Sequence, residues 1–132
     1  MEKYSVQFRV RDYECDLQGI VNNANYQHYL EHARHEYIKT LGISFSGLHD
    51  QGVDFVVARI EMAFKTPLKS GDDFIVTVSM KKEGIRWVFV QDILRLPDHK
   101  VVVRGKVDSV SIVNGKLTDY KPLDAIFGQK ED

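Results

Sequence analysis

The change of hydrophobic period near Asn25 constrains this chain more than any other feature. From about Asn25 onward, Tyr26, Tyr29, Leu30, Ala33, Tyr37 and Leu41 recur at three- and four-residue steps. Gln27, His28, Glu31, Arg34, His35 and Lys39 fall on other faces. That spacing predicts one amphipathic helix of roughly four to five turns. Gly42 is expected to close it, since glycine accepts the left-handed conformation of a helix cap. No second long helix is expected. Before the helix, Tyr4, Val6, Phe8 and Val10 alternate with Ser5, Gln7, Arg9 and Arg11, the pattern of a half-buried strand.

After the helix the period is again two. A polar loop is expected over residues 44–52. Strands follow at about residues 54–66, 74–81, 85–96 and 101–113. They are divided by Pro67 with Ser70-Gly71-Asp72, by Pro97-Asp98, and by Asn114-Gly115, a strong turn signal. Residues 122–128 read as one more helical turn through Leu123, Ile126 and Phe127. The order strand, long helix, four strands predicts an α+β fold. Short connections imply antiparallel neighbours. A single helix covers the apolar face of a five-stranded antiparallel sheet only if the sheet wraps around it. Such a sheet keeps two open edges, so a homodimer or homotetramer is expected.

Composition limits the function classes. A length of 132 residues fits one domain, spanning residues 1–132. Hydrophobic residues make up 43% and charged residues 28%, which excludes a disordered chain. With 18 basic and 19 acidic side chains the net charge is -1, so no dominant nucleic-acid surface is expected. No apolar run approaches the ~20 residues that span a bilayer, and no membrane partner is expected. The single cysteine, Cys15, cannot form an intramolecular disulfide. Met1-Glu2-Lys3-Tyr4 leads into the first strand without an apolar signal region. Both features point to the cytoplasm.

Residues 16–34, D-L-Q-G-I-V-N-N-A-N-Y-Q-H-Y-L-E-H-A-R, carry the chemistry. One carboxylate, Asp16, stands in a loop just before the helix, and Asn22, Asn23 and Asn25 stand at its entrance. The first amides of a helix lack internal partners and sit at the positive end of its dipole. They can receive a carbonyl oxygen that is becoming an oxyanion. A carboxylate beside them can attack the carbonyl or activate a water. The same residues also read as turn formers and helix caps, and the spacing alone leaves both readings open.

The pattern D-x-x-G-I-V-N-N-A-x-Y, then Y-L-E-x-A-R and L-G, resembles the 4-hydroxybenzoyl-CoA thioesterase-like branch of the hotdog superfamily. The match extends to Arg11-Asp12-Tyr13, Thr66-Pro67, Gly71-Asp72 and Pro122, and so runs along the whole chain. The resemblance implies a hotdog fold and an acyl-CoA thioesterase, releasing a carboxylic acid and free CoA. It makes Asp16 the nucleophile or general base and the Asn23 backbone amide the group that polarises the carbonyl. Gly19 would let the loop approach the substrate, having no Cβ. Tyr13 would line the acyl pocket or orient Asp16, with Val21 and Tyr26 as further substrate-binding residues. No cofactor is implied, CoA being part of the substrate. Several relatives carry histidine where this chain has Asn23, and asparagine cannot shuttle protons. The alternatives are an acyl-carrier-protein thioesterase and a non-catalytic acyl-binding module on the same fold.

Phosphates of CoA call for cations. Arg59 and Lys65 are the candidates, with Lys69 beside them and Lys81, Lys82 and Arg86 around the next hairpin. Glu31 is a second helix carboxylate, expected to pair with Arg34 at i+3 on the helix surface. His28, His32 and His35 are expected in solvent or an interface, with no metal, because the ligand set is incomplete. Cys15 has no neighbouring cation to activate it and reads as a packing residue. Phe55, Phe64, Trp87 and Phe89 are expected in the core, with one or two lining an acyl tunnel.

Overall fold

A computed structural model of the protein describes residues 4–128; the expectation that no apolar signal begins at Met1 concerns residues outside that range. In chain order the elements are β1 (Tyr4–Arg9), a 3-10 turn (Asp12–Glu14), α1 (Asn23–Thr40), α2 (Phe45–Asp50), β2 (Val53–Phe64), β3 (Asp73–Glu83), β4 (Arg86–Arg95), β5 (Val101–Val113), β6 (Lys116–Thr118) and α3 (Pro122–Gly128). The long helix begins two residues earlier than the hydrophobic pattern suggests. Asn22 explains this: its backbone is extended, and its side-chain oxygen accepts the Ala24 amide at 3.0 Å, a helix cap. At the far end Gly42 takes φ 83, the left-handed conformation expected of it.

The sheet is antiparallel and curled around α1, in the order β1-β3-β4-β5-β2, with β6 added beside β5. It is therefore six-stranded, not five-stranded. The Asn114-Gly115 turn has φ 49 and φ 84, both left-handed, and this tight turn folds Lys116 back against Val113. Residues 44–52 are not irregular either. Ser44 accepts the Gly47 amide at 3.1 Å and starts α2, which buries Leu48. The anticipated turn over residues 122–128 is α3; Leu123 and Phe127 are fully buried, and the Phe127 ring stands edge-on to Trp87 at 4.7 Å.

One expectation about topology fails. The short connection after β2 does not make β2 and β3 neighbours; β2 pairs β5, and β3 pairs β1 and β4. The reason lies in Leu68, which is fully buried in that connection. Its carbonyl accepts the Val21 amide at 2.9 Å, and its amide donates to the Tyr26 hydroxyl at 3.1 Å. A bridge between Ile20 and Lys69 adds to this. The connection thus passes the entrance of α1 and delivers β3 to the opposite side of the sheet.

The core lies between α1 and the concave face. Tyr29, Phe8 and Phe74 form one aromatic group there, with centroids 4.7–5.4 Å apart. At Gly105 of β5 the helix packs closely on the sheet. A Cβ at that position would stand 2.9 Å from the Gln91 carbonyl oxygen and 3.0 Å from a Leu30 methyl. Glycine here lets Leu30 seat against the strand. Among the described residues no helix is long and apolar enough to cross a membrane.

Candidate active site

The loop before α1 is a narrow hairpin. The Asp16 amide donates to the Ile20 carbonyl at 2.9 Å, Cys15 bridges Val21, and the Asn22 amide donates to the Glu14 carbonyl at 3.0 Å. Gly19 turns the tip with φ 80. A Cβ there would meet nothing within 4 Å, so the glycine serves backbone conformation and leaves the tip open to approach.

Asp16 is exposed, and one of its oxygens accepts the Gln18 amide at 2.9 Å. The turn-forming role is therefore real, but it uses Oδ1 alone. Oδ2 has no hydrogen-bond partner among the described residues. At the helix entrance Asn22 takes the Ala24 amide on its side chain and the Asn25 amide on its carbonyl, the latter at 2.9 Å. The Asn23 amide is left as the first helical donor without a partner among the described residues. A carboxylate oxygen and a helix-entrance amide, both uncommitted, are thus carried by consecutive segments of one hairpin and helix.

One residue that sequence reading did not single out, Glu14, holds this arrangement in place. Glu14 accepts the Tyr29 hydroxyl at 2.8 Å and the Arg11 amide at 2.8 Å, while its carbonyl accepts the Asn25 side-chain amide at 2.8 Å. Burial, and then the Glu14 carboxylate, push the ionisation of Tyr29 upward, so it stays a donor. The spacing Arg11-x-x-Glu14 is the one available signal, since a carboxylate three residues on can reach back to a cap amide. Cys15 has its thiol pushed up, first by burial and then by Asp12, Asp16 and Glu14. This keeps it protonated, in keeping with a packing role.

Of the other sequence candidates, Val21 and Tyr26 are buried beneath the entrance, 2% and 3% exposed. Tyr13 projects into solvent at the rim of a groove of about 890 Å³ that also meets Arg9, Arg11, His28 and His32. Lys65 follows Phe64, whose ring lies 5.7 Å from that of Tyr26, so it stands on the entrance side of β2. Arg59 lies further along the strand and pairs with Glu61 at 2.5 Å. The structure does not gather Arg59 with the hairpin.

The helix-surface pair of Glu31 with Arg34 does not form. Arg34 is only 5% exposed and turns inward, donating to Gln91 Oε1 at 3.1 Å. A position three residues beyond Glu31 is also one turn beyond Leu30, on the face that meets the sheet. Among the histidines, His32 approaches Glu36 at 3.7 Å and His35 packs on Phe45 at 4.5 Å. Among the described residues no group of three or more His, Cys, Asp or Glu side chains could hold a metal ion.

Residues 10–125 match the family model of the Thioesterase-like superfamily, and the chain belongs to that superfamily. It is 33% identical to an acyl-acyl carrier protein thioesterase, chloroplastic, of Arabidopsis thaliana, over 92% of this chain and 63% of that protein. This chain therefore spans under two thirds of the plant relative's length. It is 29% identical to the long-chain acyl-CoA thioesterase FadM of Escherichia coli, over 80% of each. The structure superposes on a 1,4-dihydroxy-2-naphthoyl-CoA thioesterase from Synechocystis with a TM-score of 0.89, covering 98% of both chains at 14% identity. That likeness bears on the fold alone, and the fold is the hotdog arrangement expected.

Proposed function

We propose that this chain hydrolyses an acyl-CoA thioester to a carboxylic acid and free CoA. The observation that carries the reading is that the hairpin and the helix entrance it leads into each leave one group without a partner among the described residues, Asp16 Oδ2 and the Asn23 amide. The thioester carbonyl oxygen accepts the Asn23 N–H, and the helix dipole favours the negative charge that develops there. Asp16 then works by one of two routes. As nucleophile, its oxygen adds to the carbonyl carbon, the C–S bond breaks, and water hydrolyses the resulting anhydride. As general base, it takes a proton from the water as the water oxygen adds to the carbonyl carbon; the C–S bond then breaks, and the departing CoA thiolate takes up that proton. Neither route uses a cofactor. Asn23 contributes its backbone amide and no proton transfer. Tyr13, Gly19, Val21 and Tyr26 shape the site. Lys65, next after β2, is the candidate for the CoA phosphates on the hairpin side, and Arg59 of β2 is one only for a ligand that extends along the strand away from the hairpin. A cytoplasmic setting suits the one protonated thiol.

Asp16→Asn keeps an oxygen for the Gln18 amide and removes the charge. It is expected to fold normally and to lose about 10²-fold or more in kcat. Full activity on the best substrate of a broad acyl-CoA panel sinks the mechanism. A second reading, hydrolysis of acyl groups carried on an acyl carrier protein, is favoured by the identity to the plant enzyme. Matched CoA and carrier-protein thioesters in the same assay separate the two. Binding without hydrolysis across that panel assigns instead a non-catalytic acyl-binding module.

A further inference from the structure

The middle of α1 meets a second cavity, of about 510 Å³, on the side facing β2. Three rings form much of its wall: Phe45 of α2, Phe55 of β2 and Phe89 of β4, with Phe55 lying 5.8 and 6.2 Å from the other two. Arg34 also lines it. This guanidinium is 5% exposed, yet it makes one hydrogen bond among the described residues, to Gln91 Oε1. Gln91 is itself fully buried and spends its own amide on the Leu30 carbonyl at 2.9 Å. A guanidinium carries five N–H donors. Most of them are unspent here; Glu31 acts on the guanidinium through space, but no carboxylate among the described residues comes within ion-pair distance of it. No side-chain nitrogen or oxygen among the described residues is both sealed from solvent and without a partner, so the spare Arg34 donors face the cavity. An acceptor entering the cavity can bond them, whereas an apolar group there leaves them buried without a partner, which is costly.

Two further groups add to the polarity of this ring-walled space. Ser109 is 2% exposed, and its hydroxyl has no partner among the described residues. His35 lies at the mouth against Phe45; that cover lowers its pKa, so the neutral ring retains both a donor and an acceptor at neutral pH. Glu31 stands on the same wall and repels a second carboxylate.

We infer that this cavity binds the distal part of an acyl group that carries a neutral acceptor oxygen, a hydroxyl or a ketone, several bonds from the thioester. The inference rests on the thioesterase reading for the nature of the ligand. Geometry sets the position of the oxygen. Arg34 is eleven residues beyond Asn23, about 17 Å along the helix axis, with its side chain leaning back toward the entrance. An oxygen on the carbons next to the thioester lies too close to Asn23 to meet it. A plain alkyl chain fills the ring-lined space and leaves the Arg34 donors dry. Sites of this kind discriminate strongly against the analogue that lacks the polar group.

Acyl-pantetheine thioethers test this, because pantetheine is common to CoA and carrier-protein substrates and the thioether cannot be hydrolysed. Pairs of equal chain length, with and without one hydroxyl walked along the chain, are titrated into the whole protein by calorimetry. At one distal position the hydroxyl is expected to tighten binding about tenfold or more. Arg34→Met is expected to abolish that preference, and Arg34→Lys to restore part of it. His35→Phe, at an exposed position, and Ser109→Ala are expected to weaken it, and they carry the measurement if Arg34→Met fails to fold. Equal affinity at every hydroxyl position overturns the inference, as does absence of binding or a preference that survives all four substitutions. Hydrolysis of ordinary acyl-CoAs, assayed separately, reports on the thioesterase reading alone.

Discussion

Asp16 shows how one residue can satisfy two readings. Its Oδ1 holds the Gln18 amide, and its Oδ2 remains available for chemistry. The turn role was legible in composition, whereas the uncommitted Asn23 amide emerges only once Asn22 is seen to take the Ala24 amide and the Asn25 amide. Tyr26 is the opposite case. Its place on the apolar face of α1 was plain, but its hydroxyl meets the Leu68 amide 42 residues away, which no local pattern encodes. Tyr26→Phe leaves that buried amide unpaired and is expected to cost about 1–3 kcal/mol, read by urea unfolding. A loss too small to measure argues that the Leu68 contact does not anchor the connection. Histidines supply a check that is independent of activity. His49 has its pKa raised, first by its hydrogen bond to Asp54, whereas His35 has its pKa lowered, first by burial. In an NMR titration His49 is expected above 6.5 and His35 below it. The His49 contribution to stability is thus full below the unfolded value and is lost as pH rises through the folded one. For His35 the sign reverses: its contribution is present above the unfolded value and is lost as pH falls through the folded one. A shared midpoint above 6.5 refutes the environment of His35, and one below 6.5 that of His49.

Among the elements, β5 and α1 depend on one glycine. Gly105→Ala places a methyl against the Gln91 carbonyl and the Leu30 side chain. The carbonyl belongs to the sheet ladder and cannot move freely, so α1 must lift. That strain is expected to cost about 1–3 kcal/mol, again by urea unfolding. An unchanged midpoint means that the helix has room that the contact distances deny. Elements long enough to repeat their period were legible: α1, β1 and the strands after it. α2 was missed because six residues, with Leu48 the one buried among them, display no helical period. β6 was missed because three residues after a turn display no alternation. Strand order was misread for a different reason. A short connection suggests a hairpin, but burial of Leu68 under the α1 entrance outweighs local proximity and carries the chain across to β1. Arg34 was misread because a residue at i+3 from a carboxylate looks superficial until the sheet is in place.

For the whole molecule, the two sheet edges are unequal. β1 shows Ser5, Gln7 and Arg9 to solvent, polar groups of the kind that discourage pairing. β2 exposes apolar side chains instead: Val56 at 41%, Val57 at 45% and Phe64 at 49%. A bulge between Val57 and Arg59 bends this strand while leaving it long. We therefore expect a homodimer formed through β2, or a homotetramer built from such dimers. A second copy there would add a strand to the sheet edge and close the side of the Arg34 cavity where Val56 and Val57 lie. Val57→Lys places a charge at the centre of that surface without disturbing the β5 ladder behind it. Light scattering is expected to show the wild type as a dimer or tetramer and the variant as a smaller species with an unchanged circular dichroism spectrum. A monomeric wild type removes the oligomer altogether. An assembly that survives Val57→Lys moves the interface away from β2, leaving the exposed Tyr13 and Leu17 of the hairpin as the next apolar surface to test.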